Sequence, residues 1–163
     1  MGWILNGVWC ERYVMLNRTY NEHLSLNVHC SAHPLSVLRE GLLKNRIVTA
    51  ETLRSIPSGR RVRVAGIVVI IHTPPTKSGK RVQFITLEDE TGLIDAVAFP
   101  KAQEKFARII LTSEVLAVEG TLQRRGKGGV SVSIVIEKAL LSWSGRLSHF
   151  LEMLREEKRD QTE

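Results

Sequence analysis

The sequence predicts a mainly β fold: a five-stranded Greek-key barrel with a helix between strands three and four, a short helical N-terminal leader and a C-terminal amphipathic helix. Three observations predict it. After Gly59 the chain changes from helical spacing to alternating and β-branched runs. The first of these runs carries an internal glycine, Gly66, of the kind that bends one strand around two sides of a small barrel. Pro100 then opens a helical segment that interrupts the β region after its third strand.

The elements follow in order. Met1 to Asn21 mixes Trp3, Trp9, Tyr13 and Tyr20 with Asn and Arg, and no period emerges. From Pro34, Leu35, Leu38 and Leu42 fall at i, i+3 and i+7, with Val37 and Leu43 widening the stripe, which predicts a short amphipathic helix. A second short helix is expected over Ala50 to Ile56, with Thr49 as N-cap and Pro57-Ser58-Gly59 as its stop. Arg61-Val62-Arg63-Val64 starts the first strand, Ala65-Gly66 interrupts it, and Ile67 to Ile71 continues it until Pro74 and Pro75. Lys77-Ser78-Gly79-Lys80 is a polar turn, Arg81 to Glu88 the second strand, Asp89 to Gly92 a tight connection and Leu93 to Phe99 the third strand. In the following helix Phe106, Ile109 and Ile110 share helical spacing. Val115 to Leu122 is the fourth strand, Arg124 to Gly129 a basic hairpin loop and Val130 to Glu137 the fifth, with Val130, Val132, Ile134 and Ile136 on one face. This β-β-β-α-β-β order is that of an OB barrel. An SH3-like barrel lacks the helix, and a β-sandwich needs about seven strands. The expected divisions are a leader over 1–58, the barrel over 59–142, and a helix with charged tail over 143–163.

Composition bounds the function. At 163 residues, 43% apolar and 25% charged, the chain reads as one globular domain with appendages. Its longest apolar run, Ile67 to Ile71, is too short to span a bilayer, and no secretory signal opens the sequence, so a cytoplasmic protein away from membranes is expected. Two cysteines, Cys10 and Cys30, are too few for a disulfide scaffold and read as reduced thiols. The net charge is +6. Residues 152–163 hold five acids against three bases, which leaves +8 on everything before them. Such an excess favours an anionic partner.

The motifs then carry a resemblance. Gly59-Arg60-Arg61-Val62-Arg63-Val64-Ala65-Gly66, Phe84-Ile85-Thr86-Leu87-Glu88-Asp89-Glu90-Thr91-Gly92, Phe99-Pro100-Lys101, Val118-Glu119-Gly120 and Leu122-Gln123-Arg124 stand in one order. Together they resemble the OB domain near the C-terminus of the bacterial DNA polymerase III alpha subunit, most closely its error-prone branch. Ser31-Ala32-His33-Pro34-Leu35 with Leu38-Arg39 resembles the segment that joins that polymerase's helical region to the OB domain. Residues 24–142 are covered. The resemblance implies nucleic-acid binding in replication or error-prone repair synthesis. A palm with paired catalytic aspartates has no room in this length, and Asp89 and Asp95 match no palm motif, so this chain alone is expected to be no enzyme.

Charge marks where a strand would lie. OB folds bind single strands across strands two and three, between the loops joining strands one and two and strands four and five. Between Glu51 and Glu88 there is no acid, while Arg54, Arg60, Arg61, Arg63, Lys77, Lys80 and Arg81 all fall inside. Between Glu119 and Glu137 the charges are Arg124, Arg125 and Lys127. Acid-free basic loops suit phosphates, whose neutralisation releases counterions. Basic loops can also serve solubility alone, though solubility would not exclude acids from both. By alternation Phe84, Thr86 and Glu88 leave the core while Ile85 and Leu87 enter it, which makes Phe84 the candidate base-stacking ring. In the anticodon-binding barrels of class II aminoacyl-tRNA synthetases a Phe stacks on a base at the matching place, and a polar residue on strand three reads bases. The resemblance implies these roles for Phe84 and Asp95, and an acid can accept from a cytosine or guanine amino group. Phe99 shares that face by alternation, and burial is the competing expectation for either ring. Arg61 and Arg63 also leave the core, toward the groove or toward solvent according to the coil at Gly66.

Other chemistry is weaker. His23, His29, Cys30 and His33 crowd together, but the spacings are not those of a zinc site. No nucleophile elbow or Walker loop is present, and no cofactor is expected. Leu147, Phe150, Leu151 and Leu154 form an apolar stripe that could dock on the barrel, bind a partner or make a homodimer seam. The reading is a non-catalytic module for single-stranded DNA, with RNA as the alternative ligand and polymerase subunits as expected partners. A detached polymerase part that acts only with catalytic subunits, and a tRNA-binding module, are the alternatives.

Overall fold

A computed structural model describes residues 32–75 and 81–143 together with Arg18, Glu22, Cys30 and Gly79, and the side chains of 141–143 fall outside that description. The expected C-terminal helix therefore lies outside the described residues. The chain divides into two compact units, Met1–Arg39 with Gly145–Glu163, and Glu40–Ser144.

Helix α1 (Pro34–Lys44) starts at its proline and buries Leu35, Leu38 and Leu42, the predicted stripe. Leu43, expected to widen it, is exposed. The ring of His33 accepts from Leu35 N–H through Nδ1 at 3.2 Å, satisfying one of the amides left open at a helix start. A two-residue strand, β1 (Ile47–Val48), then runs parallel to β2. Helix α2 (Ala50–Leu53) is capped by Thr49, whose side chain accepts from Thr52 N–H.

The barrel strands are β2 (Arg61–His72), β3 (Gln83–Asp89), β4 (Gly92–Ala98), β5 (Val115–Arg125) and β6 (Ser131–Trp143), with helix α3 (Pro100–Thr112) between β4 and β5. Their order is β1-β2-β3-β4-β6-β5, and a further pairing of β2 with β5 closes the barrel. β4 and β6 are parallel; the other barrel pairs are antiparallel. Closure requires β2 to serve two neighbours, and it does so in two halves. Arg61 to Ile67 pairs with β5, and Ile67 to His72 pairs with β3 across a register shift between Val68 and Ile70. At the changeover Gly66 allows close approach: a Cβ there would lie 2.5 Å from the Leu87 Cβ. Gly120 is the corresponding point on β5, where a Cβ would fall 2.0 Å from the Val135 carbonyl oxygen.

Alternation sends Val62, Val64, Ile85, Leu87, Ile94 and Ile134 into one core. The two helices beside it plug its ends. α3 contributes Ala102 and Ile110 next to the Ala98 end of β4, and Gln103 Nε2 donates to the Ala98 carbonyl at 2.6 Å. α2 contributes Ala50 and Leu53 at the Gly92 end. Its first amides are held by the β3–β4 turn, where Asp89 accepts from Ala50 N–H at 2.7 Å and Thr91 Oγ1 accepts from Glu51 N–H at 3.1 Å. Val130, expected on the buried face of the fifth strand, lies just before β6 and is 83% exposed. The hairpin glycines turn the chain one residue later than the alternation alone predicts.

Candidate nucleic-acid interface

The outward residues of β2, β3, β4 and β6 form a grid whose rows are fixed by register. His72, Phe84, Val97 and Val135 make one row, and Ile70, Thr86, Asp95 and Ser133 the next. The inward neighbours Ile85, Leu87, Ile94 and Ala96 are fully committed to the core, so the grid is what these strands offer to a ligand. Its upper row is apolar and aromatic. The rings of His72 and Phe84 stack with centroids 5.3 Å apart and planes 18° from parallel. The second row is polar, and Thr86 Oγ1 donates to Asp95 Oδ1 at 3.3 Å, which orients the exposed carboxylate on the sheet surface.

Below Asp95 the grid opens into a groove of about 420 Å³ between β4, α2 and the β5–β6 hairpin. Leu93, Asp95, Arg54 and Val130 line it, and both apolar side chains are strongly exposed. Such half-apolar, half-polar lining suits a flat heteroaromatic group with a charged backbone.

The structure brings Phe84 and Asp95 onto one face as expected. Phe99 is 41% exposed but lies one residue past β4, at the N-cap of α3 in extended conformation. Arg81 is exposed just before β3, its carbonyl held by Gln103 Nε2 at 2.9 Å. Lys77 and Lys80 lie outside the described residues. Arg125 and Lys127 are exposed at the hairpin, and Arg125 donates to the Gln123 side chain at 3.1 Å.

Arg124 is placed differently from its neighbours. Its guanidinium turns onto the end of α2 and donates to the carbonyls of Leu53, Arg54 and Ile56, and also to Gly129 at 3.2 Å. These donors satisfy the Arg54 and Ile56 carbonyls past the end of the short helix and add to the bond that Leu53 already accepts from Ile56 N–H. Arg61 and Arg63 are also occupied, on the half of β2 that pairs with β5 rather than β3. Arg63 Nε donates to Glu119 at 2.6 Å, and Arg61 reaches Glu119 at 3.2 Å and Glu137 at 2.7 Å. The hydrogen bond from Arg63 holds the Glu119 carboxyl below the usual carboxylate range, against the opposing effect of its burial.

His72 was not among the residues singled out from sequence, and Arg54 was counted there only as one of the cations of the acid-free stretch. The first strand was read as running until Pro74 and Pro75, and its last paired residue is the ring that stacks on Phe84.

Residues 62–141 match the model of the OB-fold nucleic acid binding domain. The error-prone DNA polymerase of Symbiobacterium thermophilum is 41% identical over 104 residues, which is 63% of this chain and 10% of that protein. The error-prone DNA polymerase of Dechloromonas aromatica is 40% identical over 128 residues, 77% of this chain and 12% of its own length. Among solved structures, the mitochondrial single-stranded DNA binding protein Rim1 of S. cerevisiae superposes with a TM-score of 0.43 at 13% identity, covering 53% of this chain and 99% of Rim1. The chain thus spans about a tenth of the length of the curated relatives it matches. Residues 62–141 are an OB-fold nucleic acid binding domain, homologous to a region of error-prone DNA polymerases.

Proposed function

We propose that this domain binds single-stranded DNA across the β2-β3-β4-β6 grid, as a non-catalytic cytoplasmic module in replication or error-prone repair synthesis. The stacked pair His72 and Phe84 carries the reading. A ring pair on an open sheet face, bordered by acid-free basic loops, provides both things a single strand needs: a surface for bases and cations for phosphates. One base stacks on Phe84, Asp95 accepts from an exocyclic amino group of the next, and Arg81, Lys77, Lys80, Arg125 and Lys127 neutralise phosphates. Phe99, exposed one residue past β4, offers a further ring for stacking. Arg124 acts indirectly by fixing α2 beneath the groove.

Anisotropy with a short labelled oligonucleotide tests it, because binding should weaken with salt at a slope near −0.7 per phosphate contacted. Clear preference for tRNA in competition would replace DNA with the tRNA reading.

A second reading is favoured by the span of the homology. The relatives are about ten times longer than the matched region, so the domain can act in company with polymerase catalytic subunits. On that reading primer extension requires an added polymerase, and this chain raises its activity on a primed template. Synthesis by the chain alone would overturn both readings.

A further inference from the structure

A second groove, of about 440 Å³, lies on the half of β2 that pairs with β5, away from the stacked rings of the grid. Arg46, Arg60, Arg61 and Arg63 line it, with Glu119 as its single acid. Glu119 is shared between Arg61 and Arg63, and it fixes both side chains while leaving each guanidinium donors to spare. Arg46 and Arg60 have no ion-pair partner among the described residues, so the groove is strongly cationic. Val48, Ile56 and Pro57 supply an apolar floor, and no aromatic ring lines it among the described residues. Arg46 also occupies the left-handed region at φ 59°, just past the end of α1, where glycine is ordinarily favoured.

From this we infer that the groove is a second nucleic-acid site, one that grips the phosphodiester backbone of duplex DNA. The lack of rings among its described lining residues points to duplex rather than single strand. Unpaired bases need a stacking platform, which the grid has and this groove lacks. Duplex bases already stack on each other and leave only phosphates and sugars to be held. Four fixed or free guanidiniums match phosphates, and the apolar floor matches deoxyribose edges. A domain with both surfaces would hold a junction, with the single strand on the grid and the duplex arm on the arginines.

The test uses the full chain with two labelled probes, a blunt 16-base-pair duplex and an oligo(dT) single strand, across a salt series. Arg46→Gly with Arg60→Ala should weaken duplex binding roughly tenfold at 0.1 M salt and flatten its salt slope by about 1.8, the share of two phosphates. Single-strand binding should change less than twofold. Glu119→Gln should act in the opposite direction and tighten duplex binding, because it frees Arg63 from its carboxylate and leaves Arg61 with Glu137 alone. Phe84→Ala should weaken the single strand and spare the duplex, so failure of the grid reading is seen separately from failure of this one. The inference is overturned if the double arginine variant, folded by circular dichroism, binds duplex as the parent does. It is equally overturned if the variant loses both probes alike, or if poly-glutamate binds in place of duplex and is lost with the arginines.

Discussion

Arg124 and Arg125 are adjacent, chemically identical and given to different tasks. Arg125 stands exposed, whereas Arg124 places its guanidinium against the carbonyls of Leu53, Arg54 and Ile56 at the α2 end. Alternation along β5 separates them, and the charge pattern alone could not, since an acid-free basic loop counts both equally. Arg124→Ala should therefore destabilise the domain by about 1–3 kcal/mol, because several charge-assisted bonds to part-buried carbonyls vanish together. A urea melt reads this directly; unchanged stability with a reduced salt slope for DNA would return Arg124 to the phosphate wall. Glu119 makes a second prediction at this scale. Its folded pKa is lowered by Arg63, so its contribution is fully present above the unfolded value of about 4.3 and is lost as pH falls through the lower folded value. Glu119→Gln should flatten the acid limb of the stability curve. A variant with the same acid limb as the parent would show that the pairing contributes nothing to folding.

At the scale of elements, the strands and helices were legible because each carries its own period. β3 reads inside and outside by strict alternation, and the α1 stripe and the Thr49 cap are where helical spacing puts them. The tertiary clamps were not legible. Asp89-Glu90-Thr91-Gly92 announces a turn, but that Asp89 also holds the start of a helix 39 positions earlier is a fact of three-dimensional closure. The His72–Phe84 stack has the same origin, since it arises from a register set by the shift between Val68 and Ile70. Gly66 was readable as a bend, while Gly120 gains its importance only from the Val135 carbonyl it faces. Gly120→Ala should cost about 2–3 kcal/mol or more, since the new methyl meets backbone rather than a movable side chain. Thermal denaturation of this variant at parental Tm would mean that β5 and β6 can separate at no cost.

For the molecule as a whole, closure of β2 onto β5 converts a linear charge pattern into two surfaces. Arg61 and Arg63, which alternate along the first half of β2, line the groove beside β5, and His72 of the second half lies in one row with Phe84. Sequence proximity placed Arg61, Arg63 and Arg81 in one acid-free stretch, and the coil of β2 carries the first two beside β5. The net charge of +6 is thus less informative than its partition, because a phosphate is neutralised by the cations that lie beside it. The measurement that tests this account most directly is the salt-dependent affinity of the chain for a labelled single strand, taken in parallel for Phe84→Ala. The account predicts binding whose logarithm falls linearly with log salt, and a variant weaker by about 1–3 kcal/mol at every salt with the same slope. A parent that fails to bind, or a Phe84→Ala variant that binds as the parent does, would contradict it.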